Sequence, residues 1–327
     1  MRAVVCREFG PPEALELTEL PAPRPAAGEV LVSVRAAGVN FPDALIVQGK
    51  HQIKPPLPFI PGVEVAGIVK EIGPGVDLTG GIALGARVYG AQLRGSFAEE
   101  IAVEAAKLRV IPPALSFEEA ACAPVTGHTA WYALVVLARL RAGERVLVLG
   151  AAGGVGLAAI EVASALGARV LAAASSDEKL AVCREHGAEG LIQYERDDLR
   201  QRIAALTDGS GIDVVFDPVG GRFAQPALRG LAWAGRYLVV GFASGTIPSV
   251  TLNLTLLKGA AVLGVFLGRA LDLDAALRSR VIDGFDALLR TGRIRPRISG
   301  RYALERVPQA LRQLLERRAV GKLVVIP

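Results

Sequence analysis

Residues 144–156, ERVLVLGAAGGVG, constrain the fold more than any other stretch, because a short apolar run leads directly into spaced glycines and then a helical pattern. Val146, Leu147, Val148 and Leu149 suit a buried strand. Gly150, Gly153 and Gly156, with Gly154 and Val155 among them, let the chain turn tightly and bring bare backbone to a pyrophosphate. A helix over 155–166 would aim its unpaired N–H groups and positive dipole end at that group. A second strand over 169–173 follows at βαβ distance, so the motif predicts a dinucleotide site rather than a ligand-free turn.

The end of that second strand addresses which dinucleotide. In such sites an Asp or Glu about 20 residues past the glycines bonds the adenosine ribose of NAD. Here the strand ends in Ala172, Ala173 and Ala174, followed by Ser175 and Ser176, with Lys179 within reach. Small hydroxyls and an ammonium suit a 2′-phosphate that a carboxylate would repel, so the predicted cofactor is NADPH. The competing reading of Lys179 is a solvated helix lysine. Asp177 and Glu178 read as first-turn residues of the next helix, capped by Ser175 or Ser176.

From residue 144 onward strands and helices alternate. Strands are expected at 145–149, 169–173, 190–193, 213–217, 236–242 and 261–266, and helices at 155–166, 178–185, 199–206, 223–231 and 253–258. Six strands of this kind suit a doubly wound parallel sheet of order 3-2-1-4-5-6. Earlier segments (2–7, 15–19, 30–36, 63–71, 97–103, 107–111) are short, alternating and punctuated by Pro and Gly, as in a small twisted β domain. Residues 273–290 and 308–318 read as amphipathic helices and 322–326 as a last strand. The expected organisation is a first domain over 1–124, a nucleotide-binding domain over 125–266 and a return over 267–327, with ligand between the domains.

Composition removes several classes. Hydrophobic residues make up 51% of the chain, yet no uninterrupted run of 18 appears, so no transmembrane helix is expected. The opening MRAVVCREFGPP lacks a signal-like apolar region, and Cys6, Cys122 and Cys183 are too few and too scattered for a disulfide framework. Both point to the cytoplasm, with the thiols in the core. The net charge of +5 resolves into +7 from residue 266 onward and −2 before it. Those basic residues are interspersed with Leu288, Leu289, Leu311, Leu314 and Leu315, so they read as solvated helix faces and a nucleic-acid partner is disfavoured.

The motifs AAGVNFPD (36–43), PFIPGVEVAGIV (58–69), GAAGGVGLAAIEVA (150–163), DVVFDPVGG (213–221), LVVGFASG (238–245) and LKGAAVLGVFLG (257–268), in this order, resemble the medium-chain dehydrogenase/reductase superfamily. Within it the chain is similar to the zinc-free quinone oxidoreductase branch, the zeta-crystallin relatives. The resemblance implies an α/β fold, a doubly wound parallel (Rossmann) sheet inserted in a GroES-like, mainly β catalytic domain, and a homodimer joined by the last strand of the central sheet. It also implies contacts to nicotinamide and ribose from Asn40, Phe242, Ala243, Ser244, Val265 and Phe266, to the 2′-phosphate from Tyr194, and further cofactor contacts from Thr126 and Thr129. For Asn40 the alternative is a turn residue of positive φ, and for Tyr194 a strand-end aromatic.

Zinc-dependent relatives place a Cys just before the position of Asn40 and a His–Glu pair after that of Gly62; here those places hold Gly38, Val39, Val63 and Glu64. Three ligands are needed for catalytic zinc, so no metal is expected. The acceptor must then already be electron-poor, as quinones and α,β-unsaturated carbonyls are. Bacterial relatives often carry tyrosines shortly after the VNFPD-like motif, where this chain has Leu45 and His51. His51 can bond or protonate a quinone oxygen, or be a surface residue. His128 is expected in core packing and His186 as a helix C-terminal partner. The function implied is an NADPH-dependent quinone reductase. The alternatives are a reductase of enals, enones or enoyl thioesters, and a non-catalytic NADPH- or RNA-binding crystallin-like protein.

Overall fold

The computed structural model describes residues 1–78, 80–92 and 94–327, and the chain divides into two units, Met1–Val125 with Arg295–Pro327, and Thr126–Ile294. The first unit opens with β1 (Arg2–Val5) and β2 (Glu16–Glu19), an antiparallel pair. Its main sheet is built on the long β3 (Glu29–Val39), where Val30, Val32 and Val34 face the core in strand alternation. β4 (Glu64–Ile72) and β6 (Glu100–Glu104) both pair with β3 antiparallel. β5 (Arg87–Ala91) and β7 (Leu108–Val110) continue the sheet beyond β4. A seven-residue helix, Phe41–Val47, follows β3 directly and occupies the VNFPD motif.

The second unit is a six-stranded parallel sheet of β8 (Arg145–Leu149), β9 (Arg169–Ala174), β10 (Gly190–Gln193), β11 (Ile212–Asp217), β12 (Leu231–Val239) and β13 (Ala261–Gly264). Its spatial order is β10-β9-β8-β11-β12-β13, the expected 3-2-1-4-5-6. Val146 to Leu149 are fully buried, as a strand covered by helices on both faces requires. Helices Gly154–Ala165, Asp177–Glu185, Leu199–Leu206 and Ala224–Arg229 alternate with the strands. The order reverses between β8 and β11, and a doubly wound sheet binds its ligand at the carboxyl ends of the strands there.

After Ile294 the chain returns to the first sheet with β14 (Ile298–Ala303) and β15 (Lys322–Ile326), which pair in parallel, while β15 runs antiparallel to β3. The return therefore begins at 295 rather than 267. Helix Ala275–Arg290 stays with the second unit because its Phe285 and Gly284 are packed on Gly127 and Trp131, so closely that a Cβ on Gly127 would lie 1.9 Å from the Phe285 ring.

Other boundaries also shift. β12 starts at Leu231, five residues before the expected strand, and the expected helix over 223–231 ends at Arg229. β12 stops at Val239 and β13 at Gly264, so Phe242, Ala243, Ser244, Val265 and Phe266 lie in the segments that follow the strands. No helix among the described residues is long and apolar enough to cross a membrane.

Candidate functional site

The glycine-rich turn is shaped by contacts that leave no room for side chains. Gly150 has φ +58, and a Cβ there would lie 2.7 Å from Cγ2 of Val219. One on Gly156 would meet the carbonyl oxygens of Gly150 and Ala151 at 2.6 Å. Gly153 differs: its added Cβ would find only Gly150 O at 3.4 Å, so packing does not demand glycine there. Gly153 is also the N-cap of helix Gly154–Ala165 and offers no side chain to its first-turn N–H groups. Gly154 and Val155 thus open a helix whose donors and dipole are left to an outside anion, and a dinucleotide pyrophosphate fits this cradle.

One strand over, β9 ends at the buried Ala174, and Ser176 rather than Ser175 caps helix Asp177–Glu185, its Oγ accepting the Lys179 N–H at 3.3 Å. That frees Ser175 Oγ to accept from Lys179 Nζ at 3.0 Å. Tyr194 follows β10, donates its N–H to Ala174 O at 3.2 Å, and lays its ring against Phe223 with centroids 4.4 Å apart. Ser175, Lys179 and Tyr194 therefore flank the carboxyl ends of β9 and β10, which are in register at Ala174 and Gln193. Asp177, in the first turn as expected, is answered by Arg196 at 3.2 Å and 3.4 Å.

Sequence reasoning missed a buried pair beside this cradle. Asp217 ends β11, and its Oδ1 accepts the N–H groups of Val219 at 2.7 Å and Gly220 at 2.8 Å. Tyr237 of β12 donates its hydroxyl to Oδ2. Burial pushes the Asp217 carboxyl above its ordinary range, and burial with the Asp217 charge pushes the Tyr237 phenol upward too. The loop so pinned carries Val219 to Gly150 and holds the segment after β12, since Ala243 N–H donates to Pro218 O at 3.0 Å and Ser244 N–H to Val219 O at 2.9 Å. Phe242 and Ser244 pack so closely on Gly220 and Gly221 that a Cβ would meet them at 2.9 Å and 2.7 Å. The available signal was an acid closing the apolar run Val214, Val215 and Phe216 in DVVFDPVGG.

The remaining expected cofactor residues stand on elements other than the turn. Val265 follows β13, held by its N–H to Val239 O at 2.9 Å, and β11 and β12 intervene between that strand and β8. Phe266 is exposed beside it. Thr126, buried, and Thr129, half-buried, lie on helix Pro124–Trp131. His128 on the same helix is buried edge-on to Phe285, with Nε2 3.9 Å from Asp286 Oδ1. His186 caps helix Asp177–Glu185 and reaches Glu161 with Nδ1 at 2.8 Å.

In the first unit Asn40 is buried at the start of helix Phe41–Val47 with φ −127, which removes the left-handed turn reading. Its amide meets Glu64 of β4 and Lys322 of β15, and its backbone N–H donates to Asp43 Oδ2 at 2.8 Å. Burial, with Glu64 adding to it, raises the Asp43 carboxyl to about 7, against the pull of the Asn40 N–H and Lys322. His51 is half-buried in a turn where the Ile53 N–H donates to its Nδ1 at 3.1 Å, and burial holds its pKa below the ordinary value.

These residues do not fit a catalytic zinc. A Cβ on Gly38, the first step to a cysteine ligand, would lie 2.2 Å from Glu64 Oε2 and 2.3 Å from Ala121 O. Glu64 itself has both oxygens engaged, Oε1 by the Val125 N–H at 2.6 Å and Oε2 by Asn40 and Lys322. Cys122 nearby is fully buried, its thiol pushed up to about 12.

Comparison with known proteins adds to this geometry. Residues 154–281 match the zinc-binding dehydrogenase family and residues 26–113 the alcohol dehydrogenase GroES-like domain. The chain is 39% identical to quinone oxidoreductase-like protein 2 of Rattus norvegicus, over 99% of this chain and 91% of that one. Among solved structures, the Escherichia coli quinone oxidoreductase complexed with NADPH superposes with a TM-score of 0.92 at 30% identity, covering 100% of both chains. The quinone oxidoreductase of Thermus thermophilus, also described with NADPH, gives a TM-score of 0.85 at 37% identity, again over 100% of both.

Proposed function

Because this chain belongs to the medium-chain dehydrogenase/reductase superfamily, in its quinone oxidoreductase branch, we propose that it is an NADPH-dependent reductase of quinones that works without zinc. The observation that carries this reading is the pairing of a pyrophosphate cradle at Gly150, Gly153 and Gly156 with Lys179 and Ser175 at the end of the next strand, where NAD sites carry an acid. NADPH, when bound, supplies the hydride. The chain's residues do the rest. The first turn of helix Gly154–Ala165 takes the pyrophosphate, and Ser175, Lys179 and Tyr194 take the 2′-phosphate. Asn40 orients the nicotinamide side, and His51 bonds the acceptor oxygen as charge arrives there.

The same reading includes a homodimer and a cytoplasmic location. Among the described residues β13 is an edge strand with a single partner and carries the exposed Val262, while Leu252, Leu256 and Leu257 are exposed on the segment before it and Trp233, 77% exposed, on β12. An apolar sheet edge of this kind invites strand pairing with a second copy. Three buried thiols outside any disulfide suit a reducing compartment.

Steady-state NADPH oxidation over quinones, enones and enoyl thioesters tests the assignment. Quinones should give the highest kcat/KM; turnover confined to enones or thioesters would make this an alkene reductase, and no turnover at all would leave a binding protein. Sedimentation at micromolar concentration should return a dimer, and an active monomer would overturn that part.

A further inference from the structure

Lys322 opens β15 and Glu64 opens β4, and their charges meet at 2.7 Å with 4% and 0% of their side chains exposed. Taking two charges out of water is expensive, and their attraction often does no better than apolar packing would. The pair therefore calls for something that it orders. That is Asn40: Lys322 Nζ donates to Oδ1 at 2.5 Å, while Nδ2 donates to Glu64 Oε2 at 2.8 Å.

These bonds have opposite polarity at the two ends of one amide. If the amide turned over, the ammonium would face an NH2 group and the carboxylate a carbonyl oxygen, so only one orientation is compatible with both charges. An asparagine left alone has a broad, nearly two-fold preference about that bond. The backbone delivers the partners: Val39 and Leu323 are paired in register across β3 and β15, which sets Lys322 beside Asn40. Glu64 is anchored from its other oxygen by the Val125 N–H, and the Asn40 backbone by Asp43.

We infer that Lys322 and Glu64 are positioning residues for the proposed reaction, acting through Asn40 by holding its amide in one orientation. Nδ2 is then spanned between Glu64 and Gly38 O, the latter at 3.5 Å, and the Oδ1 lone pair that Lys322 does not take always points the same way, so a ligand meets a prepared acceptor. This inference rests on the reading of Asn40 as a residue that touches the nicotinamide side, and the experiment separates the two.

Four variants are compared with the parent for kcat, for KM toward NADPH and for thermal midpoint, with a quinone as acceptor. Asn40→Ala tests the reading of the asparagine. The double variant Glu64→Gln, Lys322→Met removes the pair without leaving a lone buried charge, and the triple variant combines both changes. Lys322→Arg keeps the charge but replaces a point donor by a planar fork, so it decides the matter should the double variant not fold. The double variant should lose about 10- to 100-fold in kcat, as misplaced groups do, with little change in KM for NADPH. The triple variant should be no slower than Asn40→Ala, because a residue acting only through Asn40 has nothing further to lose. Lys322→Arg should also lower kcat with the midpoint near that of the parent. Parent-like kcat in the double variant or, failing its folding, in Lys322→Arg, while Asn40→Ala is slow, overturns the positioning role alone. So does a triple variant in which the losses multiply. Parent-like kcat in Asn40→Ala overturns the reading of Asn40 and the role of the pair with it.

Discussion

Lys179 Nζ donates to Ser175 Oγ at 3.0 Å, a side-chain bond spanning the start of the helix that Ser176 caps. The two groups are thereby held together where a 2′-phosphate would add charge to the Lys179 contact. Lys179→Ala should weaken NADPH binding by about 1–3 kcal/mol, the range for a charge-assisted contact, and leave NADH nearly unchanged. Fluorescence titration of both cofactors checks this; equal affinities in the parent protein would sink it.

Asp217 gives a second prediction, since its carboxylate is what ties Val219 and Gly220 into the loop that packs on Gly150. Asp217→Ala leaves two buried N–H groups without that acceptor, a cost of about 1–3 kcal/mol each. The Kd for NADPH should rise about tenfold, the factor that about 1.4 kcal/mol of lost fit produces. Tyr237→Phe removes one hydroxyl and should show the same change at smaller size. A folded Asp217→Ala protein with parent affinity would show that the loop keeps its place without the carboxylate.

Why the glycine turn was legible in the sequence and the Asn40 network was not comes down to separation along the chain. Gly150 to Gly156, Ser175 and Lys179 act within single βα units, so their spacing states their geometry. Lys322 lies 282 residues from Asn40 and 258 from Glu64, and at the head of a final strand it reads as an ordinary flanking lysine. β5 and β14 escaped notice for a different reason. Arg87–Ala91 is interrupted by Gly90, and the Ile298–Ala303 edge strand, half exposed, carries Ser, Gly and Arg where burial imposes no apolar residue. The first half of β12 was hidden by Ala234, at φ +60, and Gly235. The helical pattern over 273–290 showed that one face is buried; it could not show that the burying partners are Gly127 and Trp131.

Asp43 predicts a pH dependence of stability. Its folded pKa of about 7 lies above the value of about 3.9 for an unfolded Asp. Between those values the folded state holds a proton that the unfolded state has released, so stability falls as pH rises through that window and stays low above it. Lys322 pulls the other way and Glu64 the same way as burial. Asp43→Asn keeps an acceptor for the Asn40 N–H but cannot ionise. Relative to the parent it should be near-equal in stability at pH 4 and more stable at pH 8, by an amount on the order of a few kcal/mol. Denaturant unfolding at both pH values measures the difference, and a constant offset between the two proteins would show that Asp43 stays ionised.

His51 carries the last prediction. His51 Nδ1 accepts the Ile53 N–H at 3.1 Å when the neutral ring carries its proton on Nε2, the other tautomer giving Nδ1–H to Ile53 O at 3.3 Å, and burial disfavours the imidazolium. Near neutral pH the ring can therefore offer a neutral N–H to an acceptor oxygen, and it becomes a stronger acid only as pH falls below its lowered pKa. An electron-poor quinone needs little such help, whereas an enone must also gain a proton. His51→Ala should lose about 5- to 50-fold in kcat/KM, below the usual range for a positioned proton donor, with the larger loss for enones. His51→Gln should recover part of the quinone activity if bonding is what matters, and little if proton transfer is. With quinone the parent profile should be flat above neutral pH, because the donor is already the neutral ring; with enone it should rise as pH falls. Unchanged kcat/KM for both substrate classes in His51→Ala, from pH 5 to 8, would make His51 a turn residue and water the proton source.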